Sequence, residues 1–367
     1  MAIYGDTSGS LANQQHGKHQ VLQLDQNGGS AFGDAEELRD TARGGRDTLI
    51  GGADAAVNNL FGDADSMADR TVAGNDTLYG GAQASFNNLF GDAFFMAGDS
   101  RGGDDRLTGG AGAGDNTLQG DARVMLDHAV GGDDRLTGGA GATSNTLYGD
   151  AWNMNGSARG GDDVLKGGAD SGTNNLFGDA DAMSEDTVGG NDRLVGGANS
   201  TNILHGDART MTGNAVGGDD VLKGGGAGTT NTMYGDAETL SGNAVGGNDT
   251  LIAGAGTALM WGDGQLSDNA KGGADTFVFG PKAADDTIFD FRSSDGDKID
   301  VSALGMRSLA DMTITSDASG DARIAFEPNQ QQFLSLVSQT GAFGNAGSVT
   351  LVGVPPDQLH ASDFKFA

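Results

Sequence analysis

The chain has 367 residues, 66 of them glycine and none cysteine, and its 51 acidic side chains against 21 basic ones leave a formal net charge of −30. Without cysteine neither a disulfide nor a thiolate metal site can hold the fold, and a chain this acidic lacks the positive footprint that nucleic acid requires. Glycine at more than twice its usual share of about 7%, with so much self-repelling charge, leaves two choices: a disordered acidic polymer, or a turn-rich fold neutralised by bound cations.

The opening stretch, MAIYGDTSGSLANQQHGKHQ, has no basic region followed by an apolar core, so it does not read as an export leader. No apolar run approaches the ~20 residues of a membrane span, so no membrane insertion is expected. Residues 1–32 hold a weak copy of a repeat, IYGDT at Gly5, and are expected to form an N-terminal cap and a degenerate first coil. From 33 to 263 a Gly-Asp pair recurs at Gly33, Gly62, Gly91, Gly120, Gly149, Gly178, Gly206, Gly235 and Gly262, in steps of 27 to 29 residues. One unit reads Gly-Gly-(Asn or Asp)-Asp-x-Leu-x-Gly-Gly-Ala, a spacer, Asn-x-Leu-x-Gly-Asp-Ala, then x-x-Met.

Each unit carries two triplets centred on leucine. The first is centred on Leu49, Leu78, Leu107, Leu136, Leu165, Leu194, Leu222 and Leu251; the second on Leu60, Leu89, Leu118, Leu147, Leu176, Leu204, Met233 and Met260. Thr, Tyr, Phe and Val flank them and glycine bounds them, which reads as very short strands between tight turns. A helix would need apolar residues at three- and four-residue spacing. A third apolar position, Ala-x-x-Met as at Ala64 and Met67, forms a third side of the coil or a packed corner. A unit that cannot bury its own leucines must stack on its neighbours. The expected fold class is all-β: a right-handed parallel β-solenoid (β-roll or β-helix) of about 29-residue coils with a C-terminal β capping domain. At about 4.8 Å per rung, nine or so rungs make a rod roughly 40–45 Å long.

Stacking aligns the acids as well. An Asp stands two residues before each first-triplet leucine: Asp47, Asp76, Asp105, Asp134, Asp163, Asp192, Asp220 and Asp249. Carboxylates about 5 Å apart on successive rungs repel along the whole rod unless neutralised. Calcium answers this, because it takes six to eight oxygen ligands and mixes carboxylates with main-chain carbonyls, which Gly-Gly turns leave unobstructed. Zinc would want His or Cys, and His16, His19, His128, His205 and His360 follow no repeat position. The Asp of each Gly-Asp-Ala (Asp34, Asp63, Asp92, Asp121, Asp150, Asp179, Asp207, Asp236, with Asp263 after Gly262) is either a second ligand row or a turn residue. The adjacent acids Asp104, Asp133, Asp162 and Asp219 alternate with Asn75, Asn191 and Asn248, so charge there is optional. In the other half-unit the equivalent acid is Asn: Asn58, Asn87, Asn116, Asn145, Asn174, Asn202 and Asn231. A neutral amide ladder stacks by hydrogen bonds without metal, which places calcium along one edge only.

From about Gly264 to residue 367 the repeat fades. ADTFVF, DTIFDF and DKIDVS alternate as strands that should close the last rung, MTITSDASGDARIAFE reads as a hairpin, NQQQFLSLVSQTGAFGNAG as a short helix, and SVTLVGV as a final strand.

GGNDTL at Gly246–Leu251 resembles the glycine- and aspartate-rich nonapeptide of RTX (repeat-in-toxin) proteins. GGADTFVFGPKAADDTIFDFRSSDGDKIDVSAL at Gly272–Leu304 resembles the segment that follows the roll in serralysin-type members, and the ending SVTLVGVPPDQLHASDFKFA resembles tails exported by type I secretion. The resemblance implies Ca²⁺ as the bound cofactor, with Asp275, Asp286, Asp290, Asp295, Asp297 and Asp300 as further ligand candidates. It also implies passage through the type I secretion apparatus of a Gram-negative bacterium, with Phe364 and Phe366 in the export signal, and an extracellular location. The unit departs from the family's pattern, since its leucine-to-leucine steps are mostly 11 and 18 residues rather than nine.

No HExxH helix and no GxSxG elbow is present, so no catalytic residues are assigned. Arg106, Arg135 and Arg193 share their outward slot with Thr and Val and read as solvated surface. The expectation is a secreted, non-enzymatic calcium-binding module of structural, matrix or adhesive use. The competing class is a polysaccharide-binding or polysaccharide-modifying (lyase- or epimerase-like) β-helix, and end-to-end self-association into fibres is a third.

Overall fold

The coil between Arg106 and Met125 shows how the repeat folds in the computed structural model, which describes residues 2–326 and 347–367. Three strands, Arg106–Thr108, Asp115–Gln119 and Ala122–Met125, are separated by turns. Leu107 in the first, Asn116 and Leu118 in the second, and Ala122 and Met125 in the third point inward and are buried. The turn between the first two strands needs a residue in the left-handed region, supplied here by Gly112 (φ 64°) and in other coils by Asp54, Gln83, Asp170 or Asn199. Stacking keeps strict register: Leu107 lies between Leu78 and Leu136, Leu118 between Leu89 and Leu147, and Met125 between Met96 and Met154.

The result is an all-β solenoid of three sheets with 12, 14 and 10 strands, parallel throughout except for the last two strands of the 14-stranded sheet, the ten third-side strands marking about ten turns. Helix among the described residues is confined to short 3-10 turns. The Ala-x-x-Met position is thus a third sheet and not a corner. It has its own core: the leucine columns form one apolar cluster, the Ala and Met columns a second. Each fully buried leucine contributes about 1.5–3 kcal/mol relative to exposure, and none of it is available to an isolated coil.

The asparagine column is an amide ladder. Asn145 Oδ1 accepts from the Gly139 amide (2.8 Å) and from Asn116 Nδ2 (2.9 Å), while its own Nδ2 donates to Gly139 O (3.2 Å) and Asn174 Oδ1 (2.9 Å). The same pattern runs from Asn58 to Asn231, so this edge is satisfied by its own amides. Asn145→Ala would strand two buried donors at about 1–3 kcal/mol each. A urea midpoint lowered to match, with the number of bound ions unchanged, is the expected result.

A second column stacks aromatic rings at the end of the second strand, Tyr4–Phe32–Phe61–Phe90 and Tyr148–Phe177–His205–Tyr234–Trp261–Phe289, with centroids 4.1 to 5.1 Å apart. His205 therefore does hold a repeat position, as an aromatic ring, and burial pushes its pKa down. Gln119 interrupts the column.

The coil outlasts the repeat. Thr276–Val278 and Lys298–Asp300 extend the first sheet, and Asp285–Ile288 the second, all in parallel. These strands continue the rod, whereas its closure falls to more C-terminal strands. Ser348–Leu351 adds to the second sheet and carries the antiparallel hairpin Thr313–Ser316 with Ala322–Ala325. Phe364–Lys365 adds to the first, with Phe364 buried in the leucine core. The helix expected over NQQQFLSLVSQTGAFGNAG falls almost wholly outside the described residues.

Candidate metal centre

The chain crosses from the leucine core to the Ala/Met core between Leu118 and Ala122, and returns between Ala129 and Leu136. Asp121 stands at the first crossing and Asp134 at the second. The two aspartate rows therefore line a seam between the cores, where the sequence pattern alone suggested turns at a corner. The seventeen candidates of the two rows, with Asp275, fall in it as nine pairs, one per coil: Asp34/Asp47, Asp63/Asp76, Asp92/Asp105, Asp121/Asp134, Asp150/Asp163, Asp179/Asp192, Asp207/Asp220, Asp236/Asp249 and Asp263/Asp275. Every member is at most 4% exposed. The Gly-Asp-Ala row thus faces the same seam as the other row.

Main-chain amides fix each carboxylate. In one row Oδ1 accepts the amide of the equivalent residue one coil earlier: Gln20 to Asp47 (2.7 Å), Asp105 to Asp134 (2.6 Å), Asp249 to Asp275 (2.9 Å) and on to Asp297 (3.0 Å). In the other row the carboxylate accepts from the second glycine of the Gly-Gly pair eleven residues on, as Gly132 to Asp121 (3.0 Å) and Gly161 to Asp150 (2.9 Å). Glycine is needed here for closeness. A Cβ on Gly120 would lie 1.7 Å from Gly149 O and 1.9 Å from Asp134 Oδ2.

Sixteen of the eighteen still have a buried oxygen that accepts no hydrogen bond, the exceptions being Asp92 and Asp263. Carboxylates of the Gly-Asp-Ala row also meet one another from coil to coil, as Asp121 meets Asp92 and Asp150. Burial first, and neighbouring carboxylates with it, push the acids far above the usual range: Asp47 and Asp263 to about 7, Asp275 to about 9, and Asp76, Asp105, Asp134 and Asp249 well up. Buried carboxylates in contact cannot all be ionised without a counter-charge.

Among the described residues, the protein counter-charges on the seam lie at its ends. In the first coil Gln20 stands where later coils have Asp, and its Nε2 donates to Asp6 Oδ1 (2.6 Å), with Lys18 Nζ 3.3 Å from the same oxygen. At the other end Arg292 Nη1 lies 3.5 Å from Asp263 Oδ2, and Asp290 accepts the amides of Gly262, Asp263 and Gly264. Sequence reasoning missed Asp6, Gln20 and Arg292. The first two were within reach, standing 28 and 27 residues before Asp34 and Asp47, whereas Arg292 carries no repeat signal.

The donor set suits a hard cation. Among the described residues no three His, Cys, Asp or Glu side chains converge as a metal centre, so an ion in the seam would be held by a carboxylate pair and main-chain carbonyls. Unpartnered buried oxygens packed against glycine carbonyls are the ligand chemistry of Ca²⁺, and nothing in the seam offers the nitrogen or sulfur that zinc prefers.

The other acids divide. Asp104, Asp133, Asp162 and Asp219 turn outward to solvent. Asp297 extends one row, Asp286 accepts the Ala258 amide (2.8 Å) where the asparagine ladder ends, Asp295 is half-exposed beside Arg292, and Asp300 binds Ser302. No protein-family model matches the chain, and no curated protein matches its sequence.

Proposed function

We propose that this protein is a calcium-dependent β-solenoid of the RTX kind, exported without catalytic activity of its own and used outside the cell as a structural, matrix or adhesive rod. The observation that carries the reading is the uneven neutralisation of the seam. Lys18 pairs with Asp6 at one end and Arg292 with Asp263 at the other, while the pairs between them have no ion-paired basic side chain among the described residues. A divalent cation between paired carboxylates satisfies the orphaned oxygens and removes the coil-to-coil repulsion together. In a cytosol kept low in calcium the −30 chain stays extended and exportable; outside, the ions close the coils. The resemblance of the final residues to type I export tails supports the route.

Calcium counting tests this. Protein dialysed to equilibrium against millimolar calcium is expected to hold, above the concentration outside the bag, roughly one ion per pair. Asp121→Asn with Asp134→Asn should retain fewer ions and melt lower. Equal ion content in the two proteins, or none in either, would overturn the reading.

A further inference from the structure

Away from the seam, a trough of about 810 Å³ runs along the turn between the first and second strands. Six successive coils line it, from Thr137 through Lys166, Val195 and Lys223 to Lys282. At about 4.8 Å per coil it is roughly 24 Å long. Glycine and alanine of the Gly-Gly-Ala turns make most of its lining, with Thr137, Val195, Pro281 and the three lysines as the only larger side chains among the described residues.

Its charge is the reverse of the molecule's. The chain has 51 acids, yet among the described residues none lines the trough, whereas three of its seven lysines do. All three are exposed, and none is ion-paired among the described residues. Lys166 and Lys223 lie two coils apart, about 10 Å, on the same edge.

We propose that the trough binds an extended acidic polysaccharide of uronic acid units. The sugar rings lie along the glycine-alanine floor, and their carboxylates pair with Lys166, Lys223 and Lys282. A protein partner gains most from large anchors seated in pockets, which a flat floor does not offer. Nucleic acid carries about one charge per 1.7 Å of duplex and would meet the full −30 field, whereas a uronic chain has one charge per ring. The assignment does not rest on calcium in the seam, because it needs only the folded coils.

The test is calorimetric titration with galacturonic acid oligomers too short to gel with calcium, on protein whose β-signal has been checked by circular dichroism. The wild type is expected to bind, and to bind more weakly as salt rises. Lys166→Gln with Lys223→Gln and Lys282→Gln should weaken binding at least tenfold and leave the circular dichroism unchanged. Ala169→Asp, which puts an acid on the floor, should weaken it too. Folded wild type that binds no oligomer, a triple variant that binds equally, or tighter binding of a glucose oligomer or a single-stranded DNA oligomer would each overturn the proposal. A protein whose folding proves indifferent to EGTA would sink the calcium reading and leave this one standing.

Discussion

Removing calcium with EGTA at neutral pH is expected to abolish the folded β-signal, and restoring millimolar calcium to bring it back. Extracellular calcium modules bind at about 10⁻⁴–10⁻³ M, and a site at ten times its dissociation constant adds about 1.4 kcal/mol to the folded state. Nine such sites together are comparable with the roughly 5–15 kcal/mol that separates folded from unfolded domains. The apo coil also suffers the opposite effect, because its paired acids must stay ionised in contact or bind protons against a neutral solution. Circular dichroism and the melting temperature, with and without EGTA, read the outcome. Identical spectra and melting in both would end the calcium reading.

The metal-free chain should instead fold in acid and lose its coils as the pH rises. The acids of the seam have pKa values above the ordinary 3.8: about 6 for Asp207, about 7 for Asp47 and Asp263, and about 9 for Asp275. A group raised on folding stabilises the coil fully below its unfolded pKa, and that contribution is lost as the pH rises through the folded one. Apo stability should therefore fall across roughly pH 4 to 9, by about 1.4 kcal/mol per pH unit for each acid neutral in the coil and ionised in the unfolded chain. Calcium displaces those protons, so the loaded coil holds no more protons than the unfolded chain, and its stability should be level above about pH 5, where the unfolded acids are already ionised. Urea midpoints across that range should give a falling curve with EGTA and a level one with saturating calcium. An apo curve that rises with pH would show that protons do not substitute for the ion.

Periodicity placed every aspartate column correctly, since residues 29 apart in a regular coil must stack. It also distinguished the amide column of Asn145 from the acid columns, because a neutral amide can satisfy itself and a carboxylate cannot. What periodicity could not show is which columns face each other. Asp121 and Asp134 lie thirteen residues apart, and they share a seam only because Ala122 and Met125 build a second core that turns the chain back. Arg292 was invisible for a related reason: it belongs to no repeat and reaches Asp263 through the coils that continue past Gly264.

The coil, its length, its stacking and the columns of leucine, asparagine and aspartate were all legible in the amino-acid order, because each is a local pattern repeated in register. Three features were not: the two cores with aspartates buried between them, the counter-charges Lys18 and Arg292 at the seam's ends, and the three lysines along a trough without acids. These emerge from the folded chain, since they depend on which side chains meet across the coil. Period alone carries no information about that.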